Sequence, residues 1–218
     1  MPAFGRLPEF DERSKAWPIR TLLGAPRPPR SYTWSCPVNL DQGNVGACVG
    51  FSWAAELAAR PKVISNVTND TGMQLYRRAQ QLDQWPGENY SGSSVIAGAK
   101  AVTEAGFMTE YRWAFHLSDA LEAIAYHGPC ILGVPWYEGM SRPDSTYGYI
   151  KPTGRIVGGH AILAKAVNVR RQDVTVHNSW SHQWGVNGTA RLLWTDLGRL
   201  LAEDGEVCVP VRRTKPKP

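Results

Sequence analysis

Apolar positions recur at helical spacing through the first part of the chain and in short strand-like runs through the rest. From Cys48 to Ala59, Val49, Trp53, Ala54 and Leu57 share one face, and Pro61 ends the pattern. "GMQLYRRAQQLDQ" (72–84) and "SSVIAGAKAVTEA" (93–105) predict two further helices, the latter capped by Gly106. "SDALEAIAYHG" predicts a fourth, opening on Ser118 and stopped by Gly128-Pro129. Strand-like runs follow at 130–136, 160–169, 173–179, 188–194 and 206–211. Helices first and strands second describe an α+β protein of two lobes, a helical one at about 40–128 and a β one at about 129–211. A cleft between lobes is a preferred place for a site. Residues 1–33, rich in Pro, Arg and Gly, read as an extended arm, and 212–218 as a basic, flexible tail.

Composition narrows the function classes. The chain is 43% hydrophobic and 20% charged, ordinary for a globular protein. Its 218 residues build a core without help from disulfides or metal. Nine tryptophans serve first as core filling. The net charge of +5 gathers towards the ends, at Arg20, Arg27, Arg30, Arg212, Arg213, Lys215 and Lys217, which fits solvated termini better than a nucleic-acid surface. Cys36, Cys48, Cys130 and Cys208 match no zinc or redox-pair spacing. "MPAFGRLPEFDERSK" lacks the apolar run of a signal peptide, and no window approaches the ~18 apolar residues of a membrane span. The expectation is a cytoplasmic protein with free thiols and with no metal, cofactor, nucleic-acid or membrane partner; its oligomeric state is left open.

Cys48 is the first chemical candidate. It opens the first helix, where unpaired N–H groups stabilise an anion and ease loss of the thiol proton. Gly43, Gly46 and Ala47 leave room for a substrate before it. Gln42 can fold its amide back over the sulfur. A buried helical cysteine in a glycine turn satisfies the same segment. Among five histidines, His160 in "VGGHAIL" is the best base, following two glycines at the start of an apolar strand; a strand-start histidine bonded to backbone reads identically. In "HNSWSHQWG", Asn178 can accept from an imidazole N–H and Trp180 can cover that bond, or the segment is a turn packed on the core.

Together these segments resemble a family. "QGNVGACVGFSWA", "YHGPCILGV", "GGHAILAKAV" and "HNSWSHQWGVNGTARL" are similar, in order, to the nucleophile, linking, histidine and asparagine segments of the papain-like cysteine peptidases. The resemblance runs from about Tyr32 to Val209. It implies a two-lobe fold with an antiparallel, barrel-like β lobe, and a catalytic domain over 34–211. It implies Cys48 as nucleophile, His160 as base and then acid, and Asn178 as the group orienting His160. Gln42 with the Cys48 N–H would form the oxyanion hole, so Gln42 should matter more for rate than for stability. Trp180 would shield the His160–Asn178 bond, with Trp184 beside it.

The departures from the family are specific. Val45 stands where a disulfide cysteine is usual, Val49 where tryptophan is, and Ser181 where glycine follows NSW. The intervals from Cys48 to His160 and Asn178 are shorter than the family's, pointing to trimmed inter-lobe loops. The arm is too short for the long prosegment of secreted members and is not read as a propeptide. Gly92, in "GENYSGSS", falls where the family pairs with substrate backbone; Trp136 and Tyr137 are candidates for a pocket wall, and ordinary packing accounts for each as well. The expected activity is thiol-dependent hydrolysis of peptide or isopeptide bonds in a peptide or protein substrate. The alternatives are a non-catalytic binding protein on the same fold, and an amidase or acyl transferase using the same dyad.

Overall fold

The computed structural model describes residues 3–87 and 89–214. Its elements run α1 (Arg20–Leu23), β1 (Tyr32–Thr33), α2 (Cys48–Ala58), α3 (Asn69–Leu82), α4 (Val95–Glu104), β2 (Met108–Trp113), α5 (Leu117–Tyr126), β3 (Cys130–Tyr137), β4 (Ile156–Asn168), β5 (Asp173–His177), β6 (Thr189–Leu193), α6 (Trp194–Ala202) and β7 (Glu206–Arg213).

Every residue of α2 is buried, Ser52 and Glu56 included, because this mostly apolar helix is packed on all sides within its lobe. Gly50 lets α3 approach it: a Cβ there would lie 2.7 Å from the Tyr76 Cα. Ser94 caps α4, its hydroxyl accepting from the Ala97 N–H at 3.1 Å, and Gly106 follows with φ of 76°, the left-handed turn that ends such helices. α5 starts earlier than its sequence suggests, with His116 rather than Ser118 at the N-cap.

The sheet has the order β2-β7-β3-β4-β5-β6, with β1 added beside β4, and every pairing is antiparallel. Its outer strands β2 and β6 do not pair with each other, so it stays open. The middle of the sheet divides two cores. Ile131, Ala161 and Leu163 join Val49, Phe51 and Trp53 in the helical core, while Cys130, Leu132, Ile162 and Ala164 point into a second core with α5 and α6. Strand pleating produces this alternation. Both faces are covered, which is why these strands read as continuous apolar runs.

Two elements escape the sequence pattern. β2 is an edge strand whose middle residues are exposed or partly exposed, so it lacks an apolar signature; it pairs with β7 and buries its ends, Met108 and Trp113, in the helical core. α6 begins where the expected 188–194 strand was to end; Leu197 and Leu200 bury its inner face across Gly198. α5 packs on the core it shares with the inner face of the β strands. The arm carries a 3₁₀ turn at Glu12–Ala16 as well as α1. β7 continues to Arg213, beyond the expected start of the tail, and 215–218 lie outside the described residues. All four thiols are buried and free. Among the described residues, no helix is long and apolar enough to cross a membrane.

Candidate active site

Cys48 is the first residue of α2, and α2 lies against β4. The sulfur accepts the Ala161 backbone N–H at 3.3 Å, so the thiol touches the strand at the residue after His160. His160 is the fifth residue of β4, which starts at Ile156 rather than at the expected 160, and its Nε2 lies 2.8 Å from Asn178 Oδ1. Asn178 Oδ1 also accepts the Ser179 backbone N–H at 2.9 Å. A backbone N–H can only donate, so the atom between them is an oxygen and His160 Nε2 carries the hydrogen. Nδ1 is left as a free lone pair, and it has no hydrogen-bond partner. Asn178 thus meets His160, and Cys48 meets the backbone of the next residue, Ala161, with no hydrogen bond between the sulfur and the imidazole.

Aromatic rings enclose the imidazole. Trp136 and Trp180 both lie 4.7 Å from its centroid, and Trp184 packs on both tryptophans. Trp136 is fully buried, so it is a floor under His160 rather than an open pocket wall. Tyr137 points elsewhere, its hydroxyl on Glu203 at 2.7 Å. Ser181 has φ of 62°, the left-handed conformation that glycine adopts without strain.

Gln42 lies at the mouth of the helix but is already engaged. Its Nε2 donates to the Val45 carbonyl at 2.8 Å and the Ala3 carbonyl at 3.2 Å, and its Oε1 accepts the Ser179 hydroxyl at 2.6 Å. It thus ties the nucleophile loop to the asparagine segment, and its loss would weaken the fold as well as any oxyanion donor.

The Ala3 carbonyl belongs to the arm, which runs through the cleft. Gly5 N–H and Arg6 N–H both donate to the Gly159 carbonyl, at 3.1 and 3.0 Å. Ser93 N–H donates to the Gly5 carbonyl at 2.8 Å, and Leu7 N–H to the Ser93 carbonyl at 2.9 Å. The two chains lie parallel here, with Arg6 opposite Ser93. Phe4 sits 5.9 Å from Trp180 and 6.1 Å from His160, ring to ring. Glycines make the channel: a Cβ on Gly46 would lie 2.6 Å from the Phe4 carbonyl, one on Gly158 2.8 Å from Phe4 Cβ, and one on Gly92 2.6 Å from the Gly5 carbonyl. Gly92 lines the path with φ of 114°, but Ser93 makes the backbone pairing.

Burial under the arm sets the electrostatics. Cys48 and His160 are both completely buried. Desolvation pushes the thiol up to about 11, although N–H groups of Ala161, Gly5 and Val49 pull it down. It also pushes His160 down to about 4, against the opposing bond to Asn178. The expectation that the helix terminus eases thiol ionisation is thus reversed here: removing water from an anion outweighs partial charges at a helix end. The pair rests as neutral thiol and neutral imidazole.

Sequence reading missed the arm's part in the site: Phe4, Gly5 and Arg6, with their partners Ser93, Gly159 and Glu206. The one available signal was the run of glycines at 46, 92, 158 and 159, which lie apart in the chain and mark one groove only once folded.

No family model matches the chain. Superposed on xylellain, a cysteine protease from Xylella fastidiosa, it gives a TM-score of 0.73 at 15% identity, covering 98% of this chain and 97% of that one. The fold is that of the papain-like cysteine proteases. Procathepsin L 3 of Tenebrio molitor larval midgut has the same papain-like fold, with a TM-score of 0.63 at 12% identity over 96% of this chain and 75% of that one. Bromelain from Ananas comosus, in complex with an inhibitor, gives 0.57 at 14% identity over 85% of this chain and all of that one. Among curated sequences, an uncharacterized peptidase C1-like protein of Acanthamoeba polyphaga mimivirus is 22% identical over 193 residues, 68% of this chain; the match spans 62% of that relative's length.

Proposed function

We propose that the chain is a thiol-dependent peptidase hydrolysing peptide or isopeptide bonds through Cys48, His160, Asn178 and Gln42, and that the described conformation is its closed state. The observation that carries this reading is the meeting of Cys48 Sγ with the β4 backbone at 3.3 Å, beside an imidazole whose other nitrogen is held by Asn178.

With the arm withdrawn, water and substrate reach the sulfur. The Cys48 thiol gives its proton to the His160 Nδ1 lone pair, and the Asn178 oxygen holds the resulting imidazolium. The thiolate attacks the carbonyl carbon, and the oxygen takes the electron pair. Gln42 Nε2, released from the Ala3 carbonyl, and the Cys48 N–H donate to that oxyanion. His160 passes its proton to the departing amine, the C–N bond breaks and a thioester remains. A water activated by His160 then displaces the sulfur, freeing the acid and restoring the thiol. An amine in place of water would give transfer, but no observed feature favours a second acceptor.

Alkylation with iodoacetamide, mapped by mass spectrometry, tests this reading. Cys48 should label ahead of Cys36, Cys130 and Cys208, and His160→Ala should abolish the preference. Equal labelling of all four thiols, or Cys48 labelling indifferent to His160, would refute it.

A further inference from the structure

One wall of the cleft, residues 90–93, does its pairing through the backbone of Ser93. The Ser93 carbonyl accepts from Leu7 at 2.9 Å and its N–H donates to the Gly5 carbonyl at 2.8 Å. An extended chain that replaces the arm meets the same two groups. The wall also abuts the nucleophile loop: a Cβ on Gly46 would collide with Ser91 Oγ and lie 3.4 Å from the Gly92 nitrogen. All four thiols are free, so no disulfide holds this wall.

Helix α3 holds it instead. Tyr76 Oη accepts the Gly92 N–H at 3.0 Å, and Gln80 Nε2 donates to the Tyr90 carbonyl at 3.0 Å. Asp83, the residue that ends α3, takes the side chains. Its Oδ1 accepts the Tyr90 hydroxyl at 2.6 Å and the Trp85 N–H at 3.2 Å, and its Oδ2 accepts the Ser93 hydroxyl at 2.7 Å. Both hydroxyl distances are those of strong bonds to a carboxylate. The place is otherwise a poor one for a carboxylate, because a helix C-terminus carries partial negative charge. Ser93 is completely buried, so its hydroxyl cut off from Asp83 has no water to turn to.

We propose that Asp83 is a positioning residue for the peptidase reaction: by holding the Tyr90 and Ser93 hydroxyls it sets the Ser93 backbone that aligns a peptide along the cleft. It acts through Ser93 and not on the reacting bond. This rests on the peptidase reading above and adds to it the group that fixes the wall. Alignment matters because a misplacement of about 1 Å at the reacting carbonyl can cost ~100-fold in rate.

The test compares two reagents for Cys48 on the full chain: an alanyl-alanyl epoxide, whose backbone can pair with Ser93, and iodoacetamide, which has no chain to align. Both need the arm withdrawn, so its opening cancels in the ratio of their second-order rates. Asp83→Ala should lower the ratio of epoxide to iodoacetamide roughly tenfold, the scale of one hydrogen bond lost. Asp83→Asn, which keeps the shape and an acceptor for Tyr90, should bring it back to within about threefold of the unmodified protein. Ser93→Ala cuts the tie at its other end and should match Asp83→Ala; it carries the test if Asp83→Ala does not fold. A merely structural carboxylate would move both rates together, so a ratio within twofold of the unmodified protein in either folded variant overturns the proposal. If iodoacetamide labels Cys48 in a His160-dependent way while the ratio stays put, the role of Asp83 alone falls. If labelling of Cys48 is indifferent to His160, the peptidase reading falls and takes that role with it.

Discussion

Gly5 is where the closed state is most exposed to a single substitution. A methyl at this position would overlap the Gly46 carbonyl and lie 2.8 Å from the Gly46 Cα behind it. Both sides of that contact are backbone, so no rotamer change relieves it. The Gly46 loop cannot easily retreat, because it leads directly into Cys48 and is tied by the Gln42 bond to Val45 at 2.8 Å. The arm must yield instead. Forcing one methyl into a close-packed site typically costs about 1–3 kcal/mol, which is roughly a 5- to 150-fold change in the ratio of open to closed protein. In Gly5→Ala, the second-order rate of Cys48 alkylation at pH 7 should rise by that factor. The Ser93 amide, which donates to the Gly5 carbonyl, should exchange its hydrogen faster by a similar factor, while amides of α2 keep their protection. The chain beyond the arm should unfold at an unchanged urea midpoint. An alkylation rate within twofold of the unmodified protein would show that the arm does not control access to the thiol.

Other outcomes follow from the same geometry. Asn178→Ala removes the 2.8 Å bond and leaves a buried imidazole with neither nitrogen held, so peptide hydrolysis should fall ~100-fold or more with the protein still folded, as read by steady-state kinetics and circular dichroism. Gln42→Ala should lose both rate, by ~100-fold for one oxyanion donor, and about 1–2 kcal/mol of stability from its bonds to Val45 and Ser179; an unchanged urea midpoint would contradict its tie between the two segments. His160 and His177 are both held down at about 4 by burial, below their ordinary 6.5. Their contribution to stability is complete above pH 6.5 and is lost as pH falls from 6.5 towards 4, by about 1.4 kcal/mol per unit for each. Glu206, raised to about 7, runs the other way and gains as pH falls through that window. The net loss between pH 6.5 and 5 should therefore be about 2 kcal/mol, one histidine's worth, measurable as a lower urea midpoint, and a flat profile would refute the burial of these groups.

The sequence by itself marked the candidate residues and carried most of the framework. The apolar faces of α2, α4 and α5, and the continuous runs of β3 and β4, are local patterns fixed by helical and strand periodicity and by burial on both faces of the sheet. Cys48, His160 and Asn178 could be named because each sits in a short segment whose residue order is informative without the rest of the chain. β2 and α6 escaped, the first because an edge strand needs no apolar alternation, the second because a glycine interrupts a short helix. What only the tertiary structure decided is the state of the site. A proline-rich arm has no periodicity to show where it docks, and its hold on Gly159, Ser93 and Glu206 joins positions far apart in the chain. That same burial reverses the expected thiol pKa, since desolvation depends on what lies above the sulfur in space rather than beside it in sequence.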